Sequence, residues 1–165
     1  MYLRLSKNHD LEKINELRLK AQTLFELGNY DQAFPLLEEI LKIDPEEKET
    51  LIFKAMILAK DKKLDDALNC YYDVLRIDRD NLDVLEFKAD LLIQLKKYEE
   101  AMTCVNRALS LEPNDPFALY LKGLIFYDIE KYTSALFYFQ EALKIDPDYE
   151  SAEMMIENTR ARMKC

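Results

Sequence analysis

Residues 82–115 read LDVLEFKADLLIQLKKYEEAMTCVNRALSLEPND, and residues 116–149, the next 34, read PFALYLKGLIFYDIEKYTSALFYFQEALKIDPDY. Laid one over the other, they put Leu85 on Leu119, Lys88 on Lys122, Ala101 on Ala135, Leu109 on Leu143 and Pro113 on Pro147. The same interval, taken toward the N-terminus, reaches Leu51 and Leu17, Lys54 and Lys20, Ala67 and Ala33, Leu75 and Leu41. Small residues form a further column, Ala21, Ala55, Ala89 and Gly123, and bulky ones another, Tyr30, Leu64, Tyr98 and Tyr132. Self-similarity at a fixed period of this order is the mark of a chain that stacks one supersecondary unit several times.

With Ile14, Lys48, Leu82 and Pro116 as first residues, the units span 14–47, 48–81, 82–115 and 116–149. Each opens with an amphipathic stretch: Leu17, Ala21 and Leu24 follow i, i+4, i+7 spacing, as do Leu51, Ala55, Leu58 and Leu85, Ala89, Leu92. That is the spacing of one helix face. A turn follows at Gly28-Asn29-Tyr30, Lys62-Lys63-Leu64, Lys96-Lys97-Tyr98 and Glu130-Lys131-Tyr132. A second helix then places Ala33, Leu37, Ile40 and Leu41 on one side, with Ala67, Tyr71, Val74 and Leu75 as the next copy. Asp44-Pro45, Glu112-Pro113 and Asp146-Pro147 stop it, because proline lacks an amide donor and turns its predecessor away from the helical region; Arg79 stands in the proline column of the second unit.

The flanks complete the pattern. Glu150 to Lys164 reads as a capping helix within a C-terminal segment 150–165, with Ala152, Met155, Ile156, Thr159 and Met163 inward and Glu153, Glu157, Arg160 and Lys164 outward. Residues 1–13 read as an arm and helix entry: Asp10 is the expected N-cap of a helix starting at Leu11, and Met1 to Leu5 an added apolar arm. Pro35 falls about one turn into a helix, where its missing donor does little harm.

Composition narrows the function. In 165 residues, 49% apolar and 33% charged, one packed unit of ordinary size is expected, and two Gly and five Pro are few for a sheet protein or a glycine-rich phosphate loop. The formal net charge of −9 repels a phosphate backbone, so nucleic acid is not the expected partner. Apolar runs such as Ala55 to Ala59 are far shorter than the roughly 20 residues of a membrane span. Residues 1–10 lack the apolar stretch of a secretory signal, which points to the cytoplasm. Three cysteines, Cys70, Cys104 and Cys165, with no CxxC, fit reduced thiols. One histidine, His9, assembles neither a zinc site nor a histidine-dependent catalytic pair. No nucleophile elbow, P-loop or dinucleotide fingerprint is present, so no catalytic residue, cofactor or metal is expected.

The repeat resembles the tetratricopeptide repeat (TPR) family over Ile14 to Tyr149, about four-fifths of the chain. The small residues of the eighth and twentieth positions hold in all four units; at the twenty-seventh, Ala108 and Ala142 conform while Ile40 and Val74 do not, and Leu replaces the family's Trp at the fourth. The resemblance implies an all-α, right-handed superhelical solenoid of helix-turn-helix hairpins that acts as a noncatalytic protein-interaction module, its concave groove lined by the first helix of each unit. Groove positions in the family fall here on Gln22; on Glu49, Ile52, Phe53 and Met56; on Asp83, Glu86, Phe87, Asp90 and Ile93; and on Phe117, Tyr120, Leu121, Leu124 and Tyr127. Phe53, Phe87 and Leu121 belong either to the groove or, after a small helix rotation that leaves Lys54, Lys88 and Lys122 outside, to the core.

The carboxylate clamp of chaperone-adaptor TPR proteins is not matched. Its positions hold Arg18, Gln22, Phe53, Asp83 and Phe87 in the first three units, or Ile52, Met56, Phe87, Phe117 and Leu121 in the last three, with acids and apolar groups where cations belong. A groove mixing apolar side chains with Glu49, Asp83, Glu86 and Asp90 suits a partner protein's peptide or helix that carries apolar anchors and some Lys or Arg. The alternative is a homo-oligomer formed through the groove or through an outer patch on the second helices, where Tyr72, Phe137 and Tyr138 accompany Cys70 and Cys104.

Overall fold

The computed structural model describes the backbone of residues 2–164 and the side chains of residues 9–164. Among the described residues it is helical throughout: α1 (Tyr2–Glu26), α2 (Tyr30–Ile43), α3 (Lys48–Lys60), α4 (Leu64–Ile77), α5 (Leu82–Gln94), α6 (Tyr98–Leu111), α7 (Pro116–Asp128), α8 (Tyr132–Ile145) and α9 (Glu150–Arg162). None of these is long and apolar enough to cross a membrane. Where length alone implies one packed unit, the contacts gather into two, Met1–Arg79 and Asp80–Cys165. A repeat chain collects its contacts among sequence neighbours, and that locality is the physical reason.

In unit 1, α1 packs on α2, α2 on α3 and α3 on α4. Ala21, Ala33, Leu37 and Ile57 form one buried cluster and Ile14, Leu17 and Ile40 a second. In unit 2, α5 packs on α6 and α7, α7 on α6 and α8, and α8 on α9. Its C-terminal core joins Leu119, Ala142 and Ala152 in one cluster and Ala135, Phe139 and Ile156 in another. The alanine columns of the sequence, Ala21, Ala55 and Ala89 and then Ala33, Ala67, Ala101 and Ala135, are buried between the helices. Where the eighth position carries Gly123, a Cβ would lie 2.5 Å from the Phe139 ring, so the missing methyl leaves the room that ring occupies.

The turn inside each hairpin is one device used four times. The first helix ends with a residue in the left-handed region, Gly28 at φ 75°, Lys62 at 63°, Lys96 at 58° and Glu130 at 61°. Around each, two amides reach back to the helix: Gly28 N to Phe25 O and Asn29 N to Leu24 O, then Lys62 to Ala59 and Lys63 to Leu58, Lys96 to Ile93 and Lys97 to Leu92, Glu130 to Tyr127 and Lys131 to Phe126. This is the Schellman closure, which satisfies orphan carbonyls of the helix end. Only the first hairpin uses glycine there; the other three hold a side chain in a conformation that costs about 1 kcal/mol or more.

Helix starts are fastened by side chains. Glu47 accepts from Thr50 N at 2.6 Å and opens α3, Asn81 accepts from Val84 N at 3.1 Å and opens α5, and Asp115 accepts from Phe117 N at 2.7 Å and Ala118 N at 3.2 Å and opens α7. Helix α2 runs through Pro35 without a break. Two expectations are corrected. Asp10 is not an N-cap, because α1 is already helical from Tyr2 and Asp10 sits within it. Met163 does not point inward: it is 50% exposed, since α9 ends at Arg162. The apolar arm expected at Met1 to Leu5 lies outside the residues whose side chains are described.

Candidate functional site

The residues expected to line a binding face divide between the two units. In unit 1, Gln22 on α1 is exposed and donates through Nε2 to Glu26 at 3.1 Å. Arg18, one turn earlier, bridges Asn15 and Glu47, each at 2.9 Å, and comes within 3.8 Å of the exposed Glu49. Ile52, Phe53 and Met56 of α3 are half-buried. Phe53 closes an aromatic row, its ring 5.6 Å from Phe25, which lies 5.3 Å from Tyr30, and this row packs on the cluster of Ala21, Leu37 and Ile57. Lys54 turns to the other side, pairing with Glu38 at 2.5 Å above the Phe34 ring.

In unit 2, α5 and α7 each present a stripe. On α5, Asp83, Glu86 and Asp90 follow i, i+3, i+7 spacing, so one face carries three carboxyl groups. On α7, Phe117, Tyr120, Leu124 and Tyr127 follow i, i+3, i+7, i+10, and all four are half-buried. Phe87 is also half-buried. The same geometry removes two residues from the expected surface: Leu121 is 0% exposed and Ile93 8%, both core residues. For Leu121 the helix rotation decides, since Lys122 lies outward with its ammonium 2.9 Å from Asn106 Oδ1 and 4.8 Å from the centre of the Tyr138 ring.

Glu86 is the unusual member. Its side chain is only 7% exposed, and its Oε1 is buried with no hydrogen-bond partner. Burial first, then a hydrogen bond and the charge of Asp115, then Asp83 and Glu112, push its carboxyl up to about 9. Asp115 Oδ1 is already engaged by the two amides that open α7, so the proton of the pair sits on Glu86. Asp90 is also raised by burial, against the pull of Gln94 Nε2 at 2.8 Å. Beside these acids the rings of Tyr120 and Tyr149 lie 5.1 Å apart at 48°, with Phe139 5.6 Å from Tyr120. Burial raises both phenols, and the Asp90 charge adds to the effect on Tyr120.

Reasoning from sequence passed over two contributors. Asp115 and Tyr149, outside the family's groove positions, fall in the boundary column Glu47, Asn81, Asp115, Tyr149. A signal was present. Three of those four residues have short acceptor side chains that cap a helix, while Tyr149 makes no side-chain cap and lays its ring on Tyr120 instead. The outer patch, in contrast, shrinks. Cys70 and Cys104 are buried, with thiols pushed up by burial, and Tyr138 is stacked 5.4 Å from Phe126. Tyr72 and Phe137 remain exposed, one in each unit. Among the described residues no group of three or more His, Cys, Asp or Glu is placed to hold a metal ion.

Comparison with known proteins gives this geometry a family. Tetratricopeptide repeat models match residues 24–71 and 89–159. No curated protein matches the chain in sequence. Among solved structures, MamA residues 41 to the end from Desulfovibrio magneticus RS-1 is 21% identical, with TM-score 0.83 over 92% of this chain and 86% of that one. PilF of Pseudomonas aeruginosa is 22% identical, with TM-score 0.83 over 94% and 71%. The first TPR of Spaghetti (RPAP3), solved with the HSP90 peptide SRMEEVD, is 21% identical, with TM-score 0.67 over 74% and 97%. At these identities the likeness is one of fold.

Proposed function

This chain belongs to the tetratricopeptide repeat family, whose domains are protein-interaction modules, and we propose that it holds a peptide or helix of a partner protein against the faces of its first helices. The working frame is four units, 14–47, 48–81, 82–115 and 116–149, followed by a capping segment 150–165. Those faces are carried by α1 and α3 in unit 1 and by α5 and α7 in unit 2. The observation that carries the reading is the α7 stripe of Phe117, Tyr120, Leu124 and Tyr127, four large residues in helical register that the chain itself only half covers. Apolar area left in contact with water forgoes about 25 cal/mol per Å², which a partner's apolar anchors recover. The acids of α5 beside that stripe favour a segment with some Lys or Arg among its anchors. The role is noncatalytic, and the free thiols of Cys70 and Cys104 suit the cytoplasm.

Capture from lysate by the native protein and by a variant carrying Met56→Glu and Leu124→Glu tests this, with circular dichroism as the check on folding. A partner retained by the native protein and lost by the folded variant supports the reading; a partner held equally by both defeats it. A second reading rests on Phe137, which is 54% exposed on α8 with its ring 5.1 Å from Tyr138. Pairing of two copies through that ring predicts a dimer in sedimentation equilibrium that Phe137→Ser converts to monomer. A native protein that sediments as a monomer removes it.

A further inference from the structure

We propose that the face of unit 2 where Glu86 and Asp90 of α5 meet Tyr120 of α7 and Tyr149 at the start of α9 is a receptor for a guanidinium group, so that the partner segment seated there presents an arginine. The inference deepens the binding reading above and rests on it. Its starting point is the Glu86 Oε1 atom, buried in a side chain more than nine-tenths covered and lacking any donor. An acceptor left unsatisfied in the interior destabilises the fold, a deficit that an incoming donor removes. The charges acting most strongly on this carboxyl, those of Asp115, Asp83 and Glu112, are all negative, and no metal-binding cluster among the described residues explains them. Asp115, Asp83 and Glu112 therefore set a field of one sign around the proton-bearing Glu86, one that favours a cation from outside the chain.

The neighbouring rings select the kind of cation. Tyr120 and Tyr149, 5.1 Å apart, offer flat π-faces next to the carboxyl groups. A guanidinium is planar, weakly hydrated and always charged, so it stacks on such a face while its edge donates to carboxylates. Glu86 and Asp90 stand one helical turn apart, at i and i+4, which sets two acceptors along the edge of one fork. An ammonium has neither the plane for the rings nor the fork for the two acids, and loses more hydration on entry.

The probe is N-acetyl-arginine N-methylamide, titrated into the full-length 15N-labelled protein and followed by amide chemical shifts. N-acetyl-citrulline N-methylamide, nearly identical in shape but uncharged, is the control. Saturable shifts at residues 86–90, at Tyr120 and at Tyr149 are expected with the arginine probe. About tenfold or greater weakening is expected with the citrulline probe, in Asp90→Asn, and in Glu86→Leu, which removes the acceptor that a glutamine would keep, each checked by circular dichroism. Asp90, half-buried and away from the α7 cap, carries the test alone if Glu86→Leu does not fold. Absence of saturable shifts, an equal response to citrulline, or unchanged affinity in the folded variants overturns the proposal. A partner that Leu124→Glu releases while the arginine probe ignores these residues defeats this inference and leaves the binding face intact.

Discussion

Replacing Glu86 by Gln changes one oxygen to an amide nitrogen, and the effect on stability follows from where the native carboxyl keeps its proton. In the folded protein the group titrates at about 9, against 4.5 for an ordinary glutamate. Between those values the native state holds a proton that the unfolded chain has released. Stability therefore falls as pH rises, with a limiting slope of about 1.4 kcal/mol per pH unit. The contribution is fully present below pH 4.5 and lost as pH climbs through 9. At pH 7 the native protein has forgone on the order of 3 kcal/mol relative to acid conditions. Glutamine copies the protonated acid: its amide donates to Asp115 at every pH and no charge is buried. Glu86→Gln is thus expected to be more stable than the native protein by on the order of 1–3 kcal/mol at pH 7, a rise in melting temperature of several degrees. The difference should grow from pH 6 to 8 and shrink toward zero at pH 5. Urea unfolding of both proteins at unit pH steps, read by circular dichroism, isolates this one group in the difference curve. A difference that stays flat from pH 5 to 8, or a variant less stable at every pH, refutes the placement of the proton on Glu86.

Gly123→Ala sets a helix-propensity gain of about 1 kcal/mol against a methyl 2.5 Å from the fully buried Phe139 ring, and a net loss of about 1–2 kcal/mol is expected in urea unfolding. Glycine at the left-handed positions of the later hairpins, as in Lys62→Gly or Glu130→Gly, should add about 0.5–1 kcal/mol, while Gly28→Ala should remove about 1 kcal/mol; the midpoint of thermal unfolding reads both signs. Asp115→Ala removes the two amide bonds at the start of α7 and should cost about 1 kcal/mol. It should also flatten the pH dependence seen in the native protein, since the acceptor that holds the Glu86 proton is gone; an unchanged slope would separate the two carboxyl groups.

The period of 34 residues makes the helices legible in the amino-acid order itself, because each helix is a local object whose register shows in three or four residues per turn. Lys48, Leu82 and Pro116 begin α3, α5 and α7, and Ala33, Ala67, Ala101 and Ala135 are all fully buried. The start of α1 was not legible. Asp10 has the chemistry of an N-cap, yet residues 2–9 continue the helix, and a good capping residue also sits in a helix whose neighbours favour it.

Composition and periodicity by themselves determined that this chain is a run of paired helices with small residues at their crossings, since those properties depend on residues a few positions apart. Which side chains of a first helix belong to the core and which to the face was decided by packing: a rotation of a fraction of a turn buried Leu121 and Ile93 and left Phe117, Tyr120 and Leu124 half-covered. Tertiary structure alone brought Asp115 against Glu86, 29 residues away, and Tyr149 against Tyr120. A carboxyl's charge state depends on what lies within a few ångströms of it, and no local spacing in the sequence encodes that neighbourhood.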